Sequence, residues 1–174
     1  PGIKPIITGG SNHTLALKND GTVWAWGKNS DGQLGNGSVS EEWEVHTTPE
    51  RVVNLFEVVS IAAGGEFSLA LKQDGTVWGW GNNFEYLVTS HFGDVSTPVR
   101  MGDLSNITAI ATGYGHGLAL QSNGTVLSWG FNSEGQAGHV PSEAGSGISV
   151  PLQINDLSDV VAVAAGNSHS VALK

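Results

Sequence analysis

The chain's possible chemistry rests on six histidines and sixteen carboxylates, with no cysteine. Without thiolates there is no disulfide, and any metal would need imidazole or oxygen ligands. His13, His116 and His169 occupy the same place in a repeated phrase, one per copy. They therefore belong to different structural units and do not converge on one ion. Each reads as a structural histidine, satisfied by backbone beside a glycine turn. His46, His91 and His139 stand in loops without ligand spacing. The run Asn29-Ser-Asp-Gly-Gln33 carries oxygen side chains, as calcium loops do. It lacks their alternating acids and terminal Glu, so it reads as a polar turn. Serine, histidine and aspartate occur, but no nucleophile elbow and no phosphate-binding loop. With arginine only at Arg51 and Arg100, sialidase chemistry through an arginine triad is ruled out. No catalytic residue, metal or cofactor is expected. A glycan-active enzyme, the unfavoured alternative, would need carboxylates among Glu41, Glu42, Glu44, Glu85 and Asp94 to converge in one cleft.

Residues off the repeat pattern are better candidates for partner contact. Trp43 sits in the acidic run Glu41-Glu-Trp-Glu44, and Phe84, Tyr86, His91 and Phe92 fall in another loop. Large aromatics on loops are typical anchors for a protein partner.

The elements that must present these loops come from a recurring hairpin. Leu15-Ala-Leu-Lys-Asn-Asp-Gly-Thr-Val-Trp-Ala-Trp-Gly27 returns as Leu69 to Gly81 and again as Leu118 to Gly130, and a fourth copy begins at Val171-Ala-Leu-Lys174. Leu17, Leu71, Leu120 and Leu173 are 54, 49 and 53 residues apart. That period, with several strands per unit, is the sequence signature of propeller blades. Asp20-Gly21, Asp74-Gly75 and Asn123-Gly124 predict hairpin turns, where glycine and asparagine tolerate positive φ. In the strand that follows, Thr22, Trp24 and Trp26 share one face and Val23 and Ala25 the other. Neither face is charged, so sheet must cover both sides. Before each hairpin lies a β-branched, alanine-rich strand closed by glycine: Ile3 to Thr8, Val58 to Gly65, Ile107 to Gly113, Val160 to Gly166. Each loop after Trp-Gly leads to a strand opened by proline, at Pro49, Pro98 and Pro151, which predicts a sheet edge. The expected architecture is all-β: a propeller of four-stranded antiparallel blades, with fourteen strands making about three and a half blades. No helix is expected. The repeat units run about 1–47, 48–96, 97–149 and an incomplete 150–174.

Composition agrees with this and narrows function. Twenty-five glycines in 174 residues suit many tight turns and close strands. Seven basic against sixteen acidic side chains give a net charge of −9, which argues against nucleic acid as a partner. No apolar run approaches the ~20 residues of a membrane span, so no membrane insertion is expected.

The motifs resemble the regulator of chromosome condensation repeat family, whose pattern joins Ala-Ala-Gly-x-x-His-(Ser/Thr)-x-Ala-Leu to Val-x-x-Trp-Gly and Asn-x-x-Gly-Gln-Leu-Gly. His13, His116 and His169 match the histidine, with Phe67 in its place in the second copy. Trp26-Gly27, Trp80-Gly81 and Trp129-Gly130 match the Trp-Gly. Gln33-Leu34-Gly35 matches the loop fully, Gln136-Ala137-Gly138 nearly, and the second copy not at all. The resemblance covers the whole chain. It implies a β-propeller, usually of seven blades, and places the wording Asp-Gly-Thr-Val-Trp-Ala-Trp-Gly near a bacterial, secreted or cell-surface branch. Family members include a nucleotide exchanger for a nuclear small GTPase and a secreted β-lactamase inhibitor. Seven blades need roughly 350 residues, so the chain, which opens on Pro1, is expected to be one repeat domain, 1–174, within a larger propeller. Exposed blade faces would then favour self-association or the remainder of the ring. The expected function is a non-catalytic scaffold whose loops 28–48, 82–96 and 131–149 present contact residues to a protein or cell-surface partner. A purely structural repeat segment of a large surface protein is the alternative.

Overall fold

A computed structural model describes residues 2–84, 87–89, 93–102, 104–140 and 147–174. Among the described residues, fourteen strands form three complete blades and half of a fourth. The first sheet is β1 (Ile6–Gly9), β2 (His13–Leu17), β3 (Val23–Lys28) and β4 (Val45–Arg51). The second is β5 (Val58–Ala63), β6 (Phe67–Lys72), β7 (Val77–Gly81) and β8 (Val95–Arg100). The third is β9 (Ile107–Thr112), β10 (His116–Gln121), β11 (Val126–Phe131) and β12 (Gly147–Gln153), and β13 (Ala162–Ala165) pairs with β14 (Ser170–Leu173). Every sheet is an antiparallel meander in chain order. This is the all-β architecture of about three and a half blades that the repeats predict.

The hairpin turns are three-residue loops. Gly21 N–H donates to Lys18 O at 3.0 Å and Lys18 N–H to Thr22 O at 2.9 Å. Only the glycine has positive φ, at 78°. This is a type I turn with a glycine bulge rather than a two-residue turn. Asp20 Oδ1 accepts from both the Thr22 amide and the Thr22 hydroxyl, and Asp74 does the same for Thr76.

The prolines do not open their strands. Each strand begins several residues earlier and reaches its proline inside an irregular stretch. His46 pairs with Gly27 and Glu50 with Ala25, so Thr47, Thr48 and Pro49 all lie opposite Trp26. Pro98 lies likewise opposite Trp80, and Pro151 opposite Trp129. An outermost strand can bulge there because proline's missing N–H leaves no inner ladder bond broken. Each proline strand closes the blade that precedes it, so blades and repeat units differ in phase by one strand.

The core lies between blades. Leu15, Leu17, Val23 and Ala25 of the first blade bury against Val58, Ile61, Ala70 and Trp80 of the second. Leu69, Leu71 and Val77 of the second pack on Ile107, Ala119 and Trp129 of the third. Backbone bonds join the glycine-rich turns of successive blades: Ser11 N–H to Gly65 O at 3.0 Å, Gly65 N–H to Tyr114 O at 2.8 Å, Tyr114 N–H to Asn167 O at 3.1 Å. The two ends of the arc leave equivalent positions open. Val171 and Leu173 are 55% and 60% exposed, whereas their counterparts Leu69 and Leu71 are buried. At the other end Trp26 is half-buried, whereas Trp80 and Trp129 are fully buried.

Candidate functional site

The histidines reach across blades, to a hydroxyl rather than to backbone. His13 is 3% exposed. Its Nε2 lies 2.9 Å from Ser68 Oγ, which donates at 2.9 Å to Gln33 O. His116 Nε2 lies 3.0 Å from Ser170 Oγ, which donates at 2.6 Å to Gln136 O. Each hydroxyl has one proton, and the carbonyl takes it, so each histidine donates through Nε2–H. Burial pushes the His13 imidazolium down to about 4, against the opposing charge of Asp31. Burial also lowers His116, with the charge of His169 adding to it and a bond to the His169 backbone opposing it. A neutral donor facing a serine whose proton is held elsewhere is not a base activating a nucleophile. These are inter-blade latches. Phe67 replaces the histidine in the second blade, and Gly117 replaces the serine that would face it, so both halves of the latch are exchanged together. His169 is exposed, with no following blade against it.

The Trp-Gly pairs of the second and third blades hold the first two junctions. Trp80 Nε1–H donates at 2.9 Å to Gln33 O, and Trp129 Nε1–H at 2.9 Å to Leu87 O. Gly27, Gly81 and Gly130 have φ of 111°, 100° and 87°. A Cβ on Gly81 would stand 2.6 Å from Glu66 O, and those on Gly27 and Gly130 would stand 2.4 Å from Asn12 O and Gly115 O.

The loop candidates are separate from this frame. Trp43 is 82% exposed, and Glu41, Glu42 and Glu44 around it are exposed. A backbone bond from Glu44 N–H to Glu41 O at 3.0 Å closes the turn. Phe84, 64% exposed, stands edge-on to Phe131 with ring centroids 5.7 Å apart. The structure thus joins Phe84 to a residue at a strand end rather than to Trp43. Asp94 accepts from the Asn83 amide at 3.1 Å and so serves the loop backbone. Glu85, Tyr86, His91 and Phe92 lie outside the described residues. Among the described residues no three histidines or carboxylates cluster as a metal site would require.

Sequence reasoning missed two groups. Asn83 is buried, and its Oδ1 accepts from the Val88 and Thr89 amides. It repeats what Asn29 does for Leu34 and Asn132 for Ala137. The second loop keeps this asparagine although it lost Gly-Gln-Leu-Gly, and spacing from the Trp-Gly would have revealed it. Glu66 and Tyr114, in the turns before β6 and β10, and Phe131, at the end of β11, carry no repeat signal that marks them in the sequence. With Asn82, Phe84 and Leu87 they line a cavity of about 170 Å³ between the second and third blades.

Comparison with known proteins bears on all of this. Two family models, each described as a Regulator of chromosome condensation (RCC1) repeat, match residues 20–71 and 123–173, and residues 58–86 and 107–136. The crystal structure of Prp20p from Saccharomyces cerevisiae superposes with a TM-score of 0.84 at 29% identity, covering 96% of this chain and 42% of that one. Human WBSCR16 superposes with a TM-score of 0.80 at 25% identity, covering 98% and 45%. The probable E3 ubiquitin-protein ligase HERC6 of Homo sapiens is 44% identical over 79 residues, which are 44% of this chain and 7% of that protein. The chain thus spans less than half of each of these two solved structures, and the matched segment is a small part of the ligase. The relatives named here are eukaryotic.

Proposed function

The chain belongs to the Regulator of chromosome condensation (RCC1) repeat family, and from that premise we propose that it is a non-catalytic protein-binding scaffold. The observation that carries this reading is a division of labour among aromatics. Trp80 and Trp129 are fully buried and spend their indole N–H groups on neighbouring blades. Trp43 is 82% exposed, in an acidic loop where its own side chain packs into no blade. An exposed tryptophan ringed by Glu41, Glu42 and Glu44 suits a partner with a basic rim and an apolar pocket. The Prp20p structure is described with its binding to Gsp1p and histones, and a protein partner for this chain is in keeping with that. The net charge of −9 disfavours nucleic acid. A cell-surface setting rests only on the wording of the hairpin repeat. The test is proximity cross-linking from a photoreactive group at Val45, in native extract, with and without Trp43→Ala. A discrete cross-linked protein lost in the variant supports the scaffold. A cross-linking pattern unchanged by Trp43→Ala removes this loop as the contact.

The same reading includes a larger propeller. Val171 and Leu173 at one end and Trp26 at the other are the two halves of a blade junction, left apart by the arc. More blades or a second copy would bring such halves together. Light scattering of the isolated chain checks this. Stable monomer, with Leu173→Lys changing neither mass nor solubility, counts against it.

A further inference from the structure

The junction between the second and third blades is built unlike the one before it. One blade back, Gln33 Nε2 donates to Glu66 Oε2 at 2.6 Å and Asn82 Nδ2 to Asp31 Oδ1 at 2.7 Å. Those bonds plug the gap between blades with polar groups. At the next junction the corresponding positions hold Leu87 for Gln33, Gly115 for Glu66 and Phe131 for Asn82. Those described counterparts cannot repeat the Gln33–Glu66 bond, and a cavity of about 170 Å³ lies beside them.

Its walls are aromatic. Tyr114 replaces Gly65 of the previous junction, and Phe84 replaces Ser30. Both rings are more than half exposed, at 53% and 64%. Glycines beneath two of the rings set their tilt. A Cβ on Gly115 would come within 2.3 Å of the Phe131 ring, and one on Gly65 within 3.0 Å of the Tyr114 ring. The repeat folds with Ser30, Gly65 and Asn82 at these places, so blade packing does not call for the aromatics. Asn82, Leu87 and Gly115 also line the cavity, and so does Glu66. Its carboxylate accepts from Asn12 at 3.1 Å and Gln33 at 2.6 Å. Lys28 Nζ also pairs with it at 3.9 Å, too far for a hydrogen bond, so the carboxylate is shared with one cation of the chain.

We propose that this cavity is a cage for a lysine or arginine side chain of a protein partner. Aromatic faces attract a cation through their quadrupoles and cover its methylene stem. Glu66, also in the lining, adds a negative charge beside the rings that Lys28 offsets in part. The chain's net charge of −9 draws a basic partner towards it. This rests on the scaffold reading and names the partner's chemistry at a second place, apart from the Trp43 loop.

The test uses short Gly/Ala peptides carrying one central arginine, lysine or norleucine, titrated into the isotope-labelled chain and followed by backbone amide shifts. Arginine and lysine peptides should shift Tyr114, Gly115 and Phe131 saturably, and the norleucine peptide should not. Phe84→Ala and Tyr114→Ala should each weaken arginine binding about 5-fold, with other amides unchanged. Phe131→Asn, which installs the residue of the preceding junction, should do the same and guards against misfolding of the alanine variants. Equal binding of norleucine overturns the proposal, as do cation shifts that map to residues 41–44 or to no site. A chain that still cross-links its partner through the Trp43 loop but binds no cation here loses the cage and keeps the scaffold.

Discussion

His13 of the first blade donates through Nε2 to Ser68 Oγ of the second, 2.9 Å away and 55 residues along the chain. Ser68 Oγ–H donates in turn to Gln33 O, which also accepts from the Trp80 indole N–H at 2.9 Å. One carbonyl in the first blade's loop therefore gathers two side chains of the second. The stability of the junction depends on that convergence, and several expectations come from it.

Ser68→Ala leaves the His13 Nε2–H buried without an acceptor, while Gln33 O keeps the Trp80 donor. The expected loss is about 1–3 kcal/mol, read as a lower urea midpoint with unchanged m-value. The pair His13→Phe with Ser68→Gly copies the Phe67 and Gly117 combination of the next junction. It should cost less than the sum of its single changes, and additive costs would show that the two positions are not coupled.

Acid should loosen this junction in a defined window. His13 titrates at about 4 in the folded chain against an ordinary 6.5. Between those values the unfolded chain binds a proton that the folded chain refuses, so stability falls as pH drops from 6.5 to 4. Above 6.5 the histidine adds no slope, and below about 4 its loss is complete, at about 3 kcal/mol. His116 acts in the same direction. Glu50, lowered chiefly by its hydrogen bond from Asn36, loses its contribution only below the usual carboxylate range. Urea midpoints at pH 7, 5.5 and 4 measure the slope, and His13→Phe should flatten it.

Trp80→Phe and Trp26→Phe test position rather than residue type. Trp80 is fully buried and donates to Gln33 O, so its replacement should cost about 1–3 kcal/mol. Trp26, half-buried on the open face of the first blade, should cost less than about 0.5 kcal/mol. Thermal unfolding of the two variants separates them. Equal losses would mean that the first blade's face is covered in solution.

Gly81→Ala meets two obstacles at once. Its φ is 100°, and a Cβ would press on Glu66 O at 2.6 Å. The expected cost is about 3 kcal/mol. Gly135, also at positive φ but with open space around its missing Cβ, should cost only about 1 kcal/mol. Calorimetry on both variants gives the comparison.

The repeat made the blades readable before any coordinates. Alternation in Thr22-Val-Trp-Ala-Trp26, with no charge on either side, already required cover above and below, because an apolar strand face left in water is unfavourable. Local turn chemistry was readable for the same reason: Asp20-Gly21 acts through its own backbone. Three things were not legible. The proline strands read as strand openings, yet their bulges depend on pairing with Trp26, Trp80 and Trp129 across the sheet. The histidines read as bonded to nearby backbone, whereas their serine partners lie a whole repeat away. The aromatic cavity was invisible, because Phe84, Tyr114 and Phe131 are 30 and 17 residues apart and meet only when two blades stack. Sequence by itself determined the strands, their turns and their sidedness, which are settled by neighbours a few residues away. Only the tertiary structure decided which polar groups and rings face each other, because those contacts depend on how one blade docks on the next.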